Sequence, residues 1–386
     1  MNKILSLVAV CVLALSGAVR AAESPALTAI IALEPTSKKD GMMLSRTGMA
    51  TSLGKLVGSP VTVSASEDLA DVMRATRSAG YDVFVAPPQV AASALQHGYE
   101  LVGSTDRAEQ YLLIGRNSLA SAKNARGARI YLPQQDSIYT YMARGMLNAN
   151  GLSLKDLSDV RYERYPQAGL TALAIGASDL TVVRQSDWDE WANGNPGMAK
   201  VLATSTPVPG GLSVVVKKEL PPEMRTKMTA WFANSAPAMG LKPVTVHDDL
   251  REYKSVAELG VFTPLSLPGA TLVHANEVQE LVAQGAVLVD ARNDKEYGAK
   301  HIPGAVLIPY VEKSLKDIAF DAKQDDFSGL AKLDLSKPTI FACNGPECWK
   351  SYKASRAAIS KGMKTVYWFR GGLPEWEASG MTVARQ

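Results

Sequence analysis

Cysteine is scarce in this chain. Of three, Cys11 lies in the N-terminal apolar run, which leaves Cys343 and Cys348 for the rest. Two cysteines are too few ligands for a zinc site, and no histidine stands at ligand spacing from them, so no metal is expected. Long apolar runs are missing as well: beyond the N-terminus no stretch of about 18 residues or more would span a bilayer. Charge of one sign is not in excess. With 41 basic and 38 acidic residues spread without long runs, no polycationic face argues for nucleic acid. A glycine-rich phosphate fingerprint, a heptad and an ATPase motif are all lacking, so no nucleotide cofactor is expected and any transport role needs separate partners.

What is present begins with Met1-Asn2-Lys3, an apolar run from Ile4 to Val19, and then Arg20-Ala21-Ala22. This pattern predicts a secretory signal peptide over residues 1–21, cut after Ala21, and hence a periplasmic protein with no stable membrane insertion after cleavage. A single membrane anchor is the alternative, but Ser16 and Gly17 interrupt the run. A lipoprotein anchor fits less well, because Cys11 follows Val10 where a small residue is needed. Export also places Cys343 and Cys348 where thiols are readily oxidised.

The remaining chain is too long for one core and predicts two or three domains. From Leu27 to about Phe262, strand-like and helix-like segments alternate, which predicts α/β architecture with mainly parallel strands. Strands are expected at Ala29 to Leu33, Val61 to Ser64, Tyr81 to Ala86, Tyr111 to Gly115, Arg129 to Leu132, Leu180 to Arg184 and Leu212 to Lys217. Helices are expected at Gly48 to Val57, Leu69 to Ser78 and Tyr139 to Asn150. Two prolines and a glycine then break regular structure between Phe262 and Thr271. The boundary falls there, dividing the chain into 22–265 and 266–386. The second unit reads as a compact α/β domain, with strands at Val287 to Asp290, Val306 to Ile308, Thr339 to Ala342 and Thr365 to Phe369, and helices at His274 to Gln284, Ser351 to Lys361 and Leu373 to Ser379.

Cys343 directly follows a buried strand, and Asn344, Gly345, Pro346, Glu347, Cys348, Trp349 and Lys350 separate it from the helix expected at Ser351. A loop at the carboxyl end of a strand leading into a helix is where open α/β sheets bind ligands. Backbone N–H groups and the helix N-terminus stabilise an anion or a thiolate there, and a depressed pKa makes the thiol a nucleophile near neutral pH. Arg292, just past another strand, is expected at the same crevice as an anion-holding group; otherwise it is a surface charge or pairs with Asp294 or Glu296. Glu347 is expected to face solvent. Asp290 and His301 read as structural, Trp368 and Trp376 as core.

Val287-Leu288-Val289-Asp290-Ala291-Arg292 with Glu296-Tyr297 and His301-Ile302-Pro303-Gly304-Ala305, then the cysteine loop, then Tyr367 through Trp376 follow in order, and with them the chain from about Ala270 onward resembles the rhodanese family. The resemblance implies a parallel-sheet α/β domain whose Cys343 takes sulfane sulfur from a donor such as thiosulfate, holds it as a persulfide and passes it to a thiol acceptor or cyanide. The loop departs from the family in being longer, in carrying Cys348, and in ending Trp349-Lys350-Ser351 where Arg-Ser or Arg-Thr is common. Lys350 is then the candidate loop cation, as a point charge without bidentate geometry. Two other readings stay open. Cys348 could resolve a persulfide on Cys343 in a thiol-disulfide relay with a redox protein, or the pair could be an inert disulfide in a silent domain.

Gly80 to Pro87 followed by Tyr111-Leu112-Leu113-Ile114, Ala128 to Pro133 with Asp136-Ser137-Ile138-Tyr139-Thr140, and Ala172 to Arg184 make the first domain similar to the phosphonate-type periplasmic substrate-binding proteins. The similarity implies two α/β lobes closing on a small sulfur-containing or other oxyanion. Ser137, Tyr139 and Thr140, at an expected helix start, are candidate oxyanion ligands or mere caps. Arg184 and Tyr111, at strand ends, are candidates for the cleft or for packing. Together these readings predict a periplasmic sulfurtransferase coupled to an oxyanion-binding domain; the alternative is a solute-binding or sensing protein with an inactive or thiol-redox tail.

Overall fold

The structure is a computed structural model that describes residues 27–35, 46–235, 243–244 and 250–386. The expected signal peptide lies outside the described residues. Along the first domain run β1 (Thr28–Ala32), α1 (Arg46–Val57), β2 (Thr62–Ser66), α2 (Leu69–Arg77), β3 (Val83–Ala86), α3 (Pro88–Gln96), β4 (Tyr99–Glu109), β5 (Tyr111–Arg116), β6 (Arg129–Leu132), α4 (Ile138–Ala149), β7 (Asp159–Tyr162), α5 (Ala168–Ala174), β8 (Leu180–Arg184), α6 (Gln185–Gly194), β9 (Ala199–Thr204), β10 (Val208–Lys217), α7 (Pro222–Ser235) and α8 (Arg251–Glu258). They build two lobes. The first holds a sheet of order β2-β1-β3-β10-β4, the second a sheet of order β7-β6-β8-β5-β9.

The local reasons are legible. β3 is Val-Phe-Val-Ala, buried throughout, as a central strand covered on both faces must be. α2 starts behind Asp68, whose side chain accepts from the Asp71 N–H at 3.0 Å, and buries Leu69, Val72, Met73 and Thr76 on one face. α3 was not foreseen, because Pro87-Pro88 reads as a stop. Pro88 instead opens the helix, where its missing N–H has no intrahelical partner to lose.

The expectation of mainly parallel strands is corrected for this domain. β1 pairs in parallel with β2 and β3, and β6 with β7 and β8, but β10 runs antiparallel to β3 and β4, and β5 antiparallel to β8 and β9. The reason is topological. β4 leads through Gln110 directly into β5 in the other lobe, and β9 returns through residues 205–207 into β10. The two crossings are tied together: Ser205 N donates to Tyr111 O at 2.8 Å and Tyr111 N to Ser205 Oγ at 3.0 Å. Two adjacent bonded crossings are the geometry of a hinge.

The second domain comprises β11 (Thr271–Leu272), α9 (Ala275–Ala283), β12 (Val287–Asp290), α10 (Asp294–Ala299), β13 (Val306–Leu307), β14 (Thr339–Ala342), α11 (Trp349–Ser360), β15 (Val366–Phe369) and α12 (Gly372–Ala378). Its sheet, β11-β15-β14-β12-β13, is parallel throughout. Successive residues serve opposite faces: Val289 and Phe341 pack under α11 with Ala354, Ala357 and Ala358, while Leu288 and Ile340 pack with Phe369, Leu373 and Trp376. No described helix is long and apolar enough to cross a membrane.

Candidate functional site

Cys343 follows β14 immediately, at the carboxyl end of the central strand, and Cys348 is the N-cap residue of α11. The positive end of a twelve-residue helix therefore faces the loop. The two cysteines are joined by a disulfide with Cα atoms 6.2 Å apart, and both are buried. Gly345 at φ +88° turns the loop, and its carbonyl accepts from Cys348 N at 3.0 Å. The far wall is Gly372, at φ +55°, packed so closely that a Cβ there would collide with the carbonyl of Cys343. That carbonyl accepts from Leu373 N at 2.9 Å, which fixes the end of β14 against the start of α12.

The side chains around the loop are committed to one another. Arg292 is buried and grips Asp290 through Nε at 2.9 Å and Nη2 at 2.7 Å; its Nη1 donates to Asn344 Oδ1 at 3.1 Å and its Nη2 to Lys300 O at 2.8 Å. Its partners are thus neither Asp294 nor Glu296, and it orients the loop through Asn344. Asn344 Nδ2 in turn donates to Glu296 Oε1 at 2.7 Å. Lys350 is committed to Tyr310: Nζ donates to Tyr310 O at 2.6 Å and lies 4.9 Å from the Tyr310 ring centre. Burial lowers its pKa. Ser351 Oγ accepts from Trp368 Nε1 at 3.1 Å, and Trp349 Nε1 donates to Val261 O at 2.9 Å. Pro346 O accepts from Thr263 through N at 2.9 Å and Oγ1 at 2.8 Å.

One expectation at the loop fails. Glu347 does not face solvent; it is buried, 3.3 Å from Nη1 of Arg77 on α2 of the first domain. The partner lies 270 residues earlier, and nothing local to the loop reports it.

In the first domain, the cleft between the lobes encloses about 170 Å³ and is lined by Glu34, Glu109, Tyr111, Tyr139, Gln167 and Arg184 among others. Tyr111 and Tyr139 meet edge to face at 5.1 Å, and Tyr111 Oη donates to Glu109 Oε2 at 3.3 Å. Burial first, then Glu109, pushes the Tyr111 phenol well up. Arg184 pairs with Asp187 at 3.0 Å. The cleft thus gathers Tyr111, Tyr139 and Arg184 but not Thr140, which is buried with Oγ1 donating to Gln134 O at 2.9 Å.

The residue that sequence reasoning missed is Glu34, two positions beyond β1. Its carboxylate accepts from Ser137 Oγ at 2.7 Å, Ile138 N at 2.8 Å and Gln89 Nε2 at 2.8 Å. The N-terminus of α4, where an external oxyanion is expected, holds the protein's own carboxylate. Burial is the largest influence on Glu34 and raises its pKa, Asp136 adds to this, and the three hydrogen bonds oppose it. Its place at the carboxyl end of a parallel strand was the available signal. Among the described residues no group of three or more His, Cys, Asp or Glu side chains is placed to hold a metal.

Comparison with known proteins fits this geometry. Residues 31–256 match the model of the ABC transporter, phosphonate, periplasmic substrate-binding protein family, and residues 274–379 that of the rhodanese-like domain. The thiosulfate sulfurtransferase GlpE of Pseudomonas fluorescens (strain SBW25) is 35% identical over 106 residues, covering 28% of this chain and 81% of that protein. GlpE of Pseudomonas savastanoi pv. phaseolicola (strain 1448A / Race 6) is 31% identical over 103 residues, covering 27% of this chain and 83% of that protein. A solved structure of PhnD1 from Prochlorococcus marinus (MIT 9301), in complex with methylphosphonate, aligns over 61% of this chain and 98% of its own, with a TM-score of 0.48 and 13% identity. The chain belongs to the phosphonate-type periplasmic substrate-binding proteins of ABC transporters and carries, after that domain, a rhodanese-like domain homologous to thiosulfate sulfurtransferases.

Proposed function

We propose that this is a periplasmic sulfurtransferase, cleaved after residue 21, in which Cys343 carries sulfane sulfur and the two-lobed domain closes on a small oxyanion, with the division between the units at residues 265 and 266. The observation that carries the reading is the place of Cys343: after the central strand, beside the N-terminus of α11, with its loop oriented by Arg292 through Asn344. The disulfide must first be opened by a dithiol reductant, which is itself oxidised to its disulfide as both cysteines become thiols. The Cys343 thiolate then attacks the outer sulfur of thiosulfate. A new S–S bond forms, the donor's S–S bond breaks, and sulfite leaves with the electron pair. A thiol or cyanide removes the outer sulfur and regenerates the thiolate.

The test is to incubate the reduced mature protein with thiosulfate and cyanide and to measure thiocyanate, together with a mass gain of one sulfur atom on Cys343. No turnover and no added sulfur after verified reduction would defeat this reading. A second reading, a thiol-redox domain attached to a solute-binding protein, is favoured by one observation, the closed Cys343–Cys348 disulfide. It expects exchange with dithiols and no thiocyanate.

For the first domain, a ligand oxyanion takes the N-terminus of α4 in exchange for the Glu34 carboxylate. Thiosulfate, sulfite, sulfonates, phosphonates and phosphate are to be screened by thermal shift on the whole mature protein, since a ligand bound only to the folded state raises the melting temperature. Indifference to all of them would overturn the oxyanion assignment.

A further inference from the structure

We propose that Arg77, on α2 of the binding domain, is the cation that recognises the sulfonate end of thiosulfate at the Cys343 loop, so that the sulfur-donor site is built from both domains. This rests on the sulfurtransferase reading. The argument starts from a shortage. A dianionic donor needs a cation beside the cysteine, and the cations of the rhodanese-like domain around the loop are already engaged. Arg292 is held by Asp290, Asn344 and Lys300 O. Lys350 is turned to Tyr310 O, and Lys353 to Ser314 O and Glu312. Arg370 donates to the Oγ1 and carbonyl of Thr263 at 3.1 and 2.9 Å.

Arg77 is differently placed. Its side chain is 5% exposed and meets the loop from the other domain at Glu347, where, among the described residues, the one hydrogen bond it makes runs from Nη1 to Oε2 at 3.3 Å. Its Nε is buried and has no hydrogen-bond partner among the described residues. A buried guanidinium with an unused donor and a one-point carboxylate contact is poorly satisfied, whereas a sulfonate offers three oxygens to a planar fork. Glu347 is thus a placeholder carboxylate. Two neighbouring titratable groups share the field of Arg77: Asp136, whose own ion pair is with Lys316, and His97, whose pKa burial lowers. Arg74, one turn earlier, forms an ion pair with Asp71 and stands 3.9 Å from Glu296. A cavity of about 380 Å³ between α2 and α10 is lined by Arg74, Tyr81, Lys295 and Glu296, and the last of these accepts the hydrogen bond of Asn344 in the loop.

As the donor docks, Arg77 exchanges Glu347 for the sulfonate. When the thiolate of Cys343 takes the outer sulfur, the electron pair goes to sulfite, whose charge Arg77 holds until release. Arg77 then returns to Glu347.

The experiment uses the whole mature protein, reduced with dithiothreitol, with thiosulfate varied at saturating cyanide. Arg77→Met is expected to raise KM for thiosulfate at least tenfold with kcat within about threefold, and Arg77→Lys to recover part of the loss. Glu347→Gln, which keeps Arg77 and removes its carboxylate, is expected to lower KM. A purely structural role for Arg77 predicts instead that kcat falls as much as kcat/KM in both Arg77 variants, with no gain from Glu347→Gln, and that outcome overturns the proposal. So does an unchanged KM in Arg77→Met and Glu347→Gln, while leaving the sulfurtransferase reading intact. Failure of the wild-type protein to acquire sulfur overturns both together. Should Arg77→Met not fold, the sign of the KM change in Glu347→Gln decides.

Discussion

The carboxylate of Glu34 accepts a 2.8 Å hydrogen bond from the backbone N–H of Ile138, so the open end of α4 is closed from within the chain. This contact links the lobes, because Glu34 follows β1 in one and Ile138 begins α4 at the other. A carboxylate suits a helix N-terminus, yet desolvation there outweighs the three hydrogen bonds and lifts the pKa of Glu34 above 4.5.

A pH dependence follows from that direction of shift. Well below pH 4.5 Glu34 carries its proton in the folded and unfolded chain alike and contributes nothing. As pH rises above that value the unfolded state loses the proton first, so stability falls until the native carboxyl ionises as well. Glu34→Gln removes this loss. Its melting temperature should match that of the wild type at low pH and exceed it by a margin that grows through the window above pH 4.5. The same variant should bind sulfite or phosphonate more tightly at neutral pH by thermal shift, because no internal carboxylate competes. A variant that melts lower than wild type across the whole pH range would refute the account.

The loop wall gives a second prediction. Gly372 combines a left-handed φ of +55° with contact against the Cys343 carbonyl, so Gly372→Ala meets both backbone strain and a collision. The expected destabilisation is roughly 2–4 kcal/mol by denaturant unfolding of the rhodanese-like domain. Gly380→Ala is the control: it shares a left-handed φ of +74° but has open space where a Cβ would sit, and should cost about 1 kcal/mol, the strain alone.

Much of this loop was legible from sequence. Thr339 to Ala342 is a short apolar run, Cys343 follows it at once, and the helix that follows is marked by its own pattern; each signal is local. The residues that decide what the loop touches are not local. Glu347 meets Arg77 across 270 positions, and Ser137 meets Glu34 across 103. A glutamate in a polar loop reads as solvated unless its partner is known, and a serine before a helix reads as a cap. The antiparallel strands escaped for a related reason. β4, Tyr-Glu-Leu-Val-Gly-Ser-Thr-Asp-Arg-Ala-Glu, lacks the apolar density of a buried strand, and its direction is set by the crossing to the other lobe rather than by its composition.

The cysteine pair gives a third prediction, since a carrier and a bystander respond oppositely to removal. Cys348→Ser leaves Cys343 as a free thiol and should keep sulfur loading on it, by mass, without prior reduction. Cys343→Ser should abolish loading. Loading that survives in Cys343→Ser and vanishes in Cys348→Ser would reverse the assignment of the nucleophile. The stability cost of Cys348→Ser should be small, about 2 kcal/mol, because the bridge closes a loop with a sequence separation of only 5.

The last prediction concerns how the two units are held together. Lys316, in the second domain, reaches Asp136 Oδ2 at 2.6 Å, and its backbone N–H donates to Gln135 Oε1 at 2.9 Å, so one residue engages two neighbours just ahead of α4. Both side chains of the ion pair are largely buried. Burial alone drives Asp136 up, but Lys316, with smaller help from Arg77 and Arg144, more than offsets it and holds the carboxyl below 3.8. A group with a depressed folded pKa gives stability that is present above 3.8 and is lost as pH falls through the native value, so this contribution is intact at neutral pH. Lys316→Met leaves a buried carboxylate without its cation and should cost about 3–5 kcal/mol at neutral pH. Because the lost energy is mostly that of an uncompensated charge, adding Asp136→Asn to Lys316→Met should restore a large part of it. The two single variants and the double variant, melted at pH 7 and then at successively lower acid pH, form a cycle whose coupling should shrink once the pH passes below the depressed native value of Asp136. Additive effects at pH 7 would mean that the contact contributes nothing to holding the domains together.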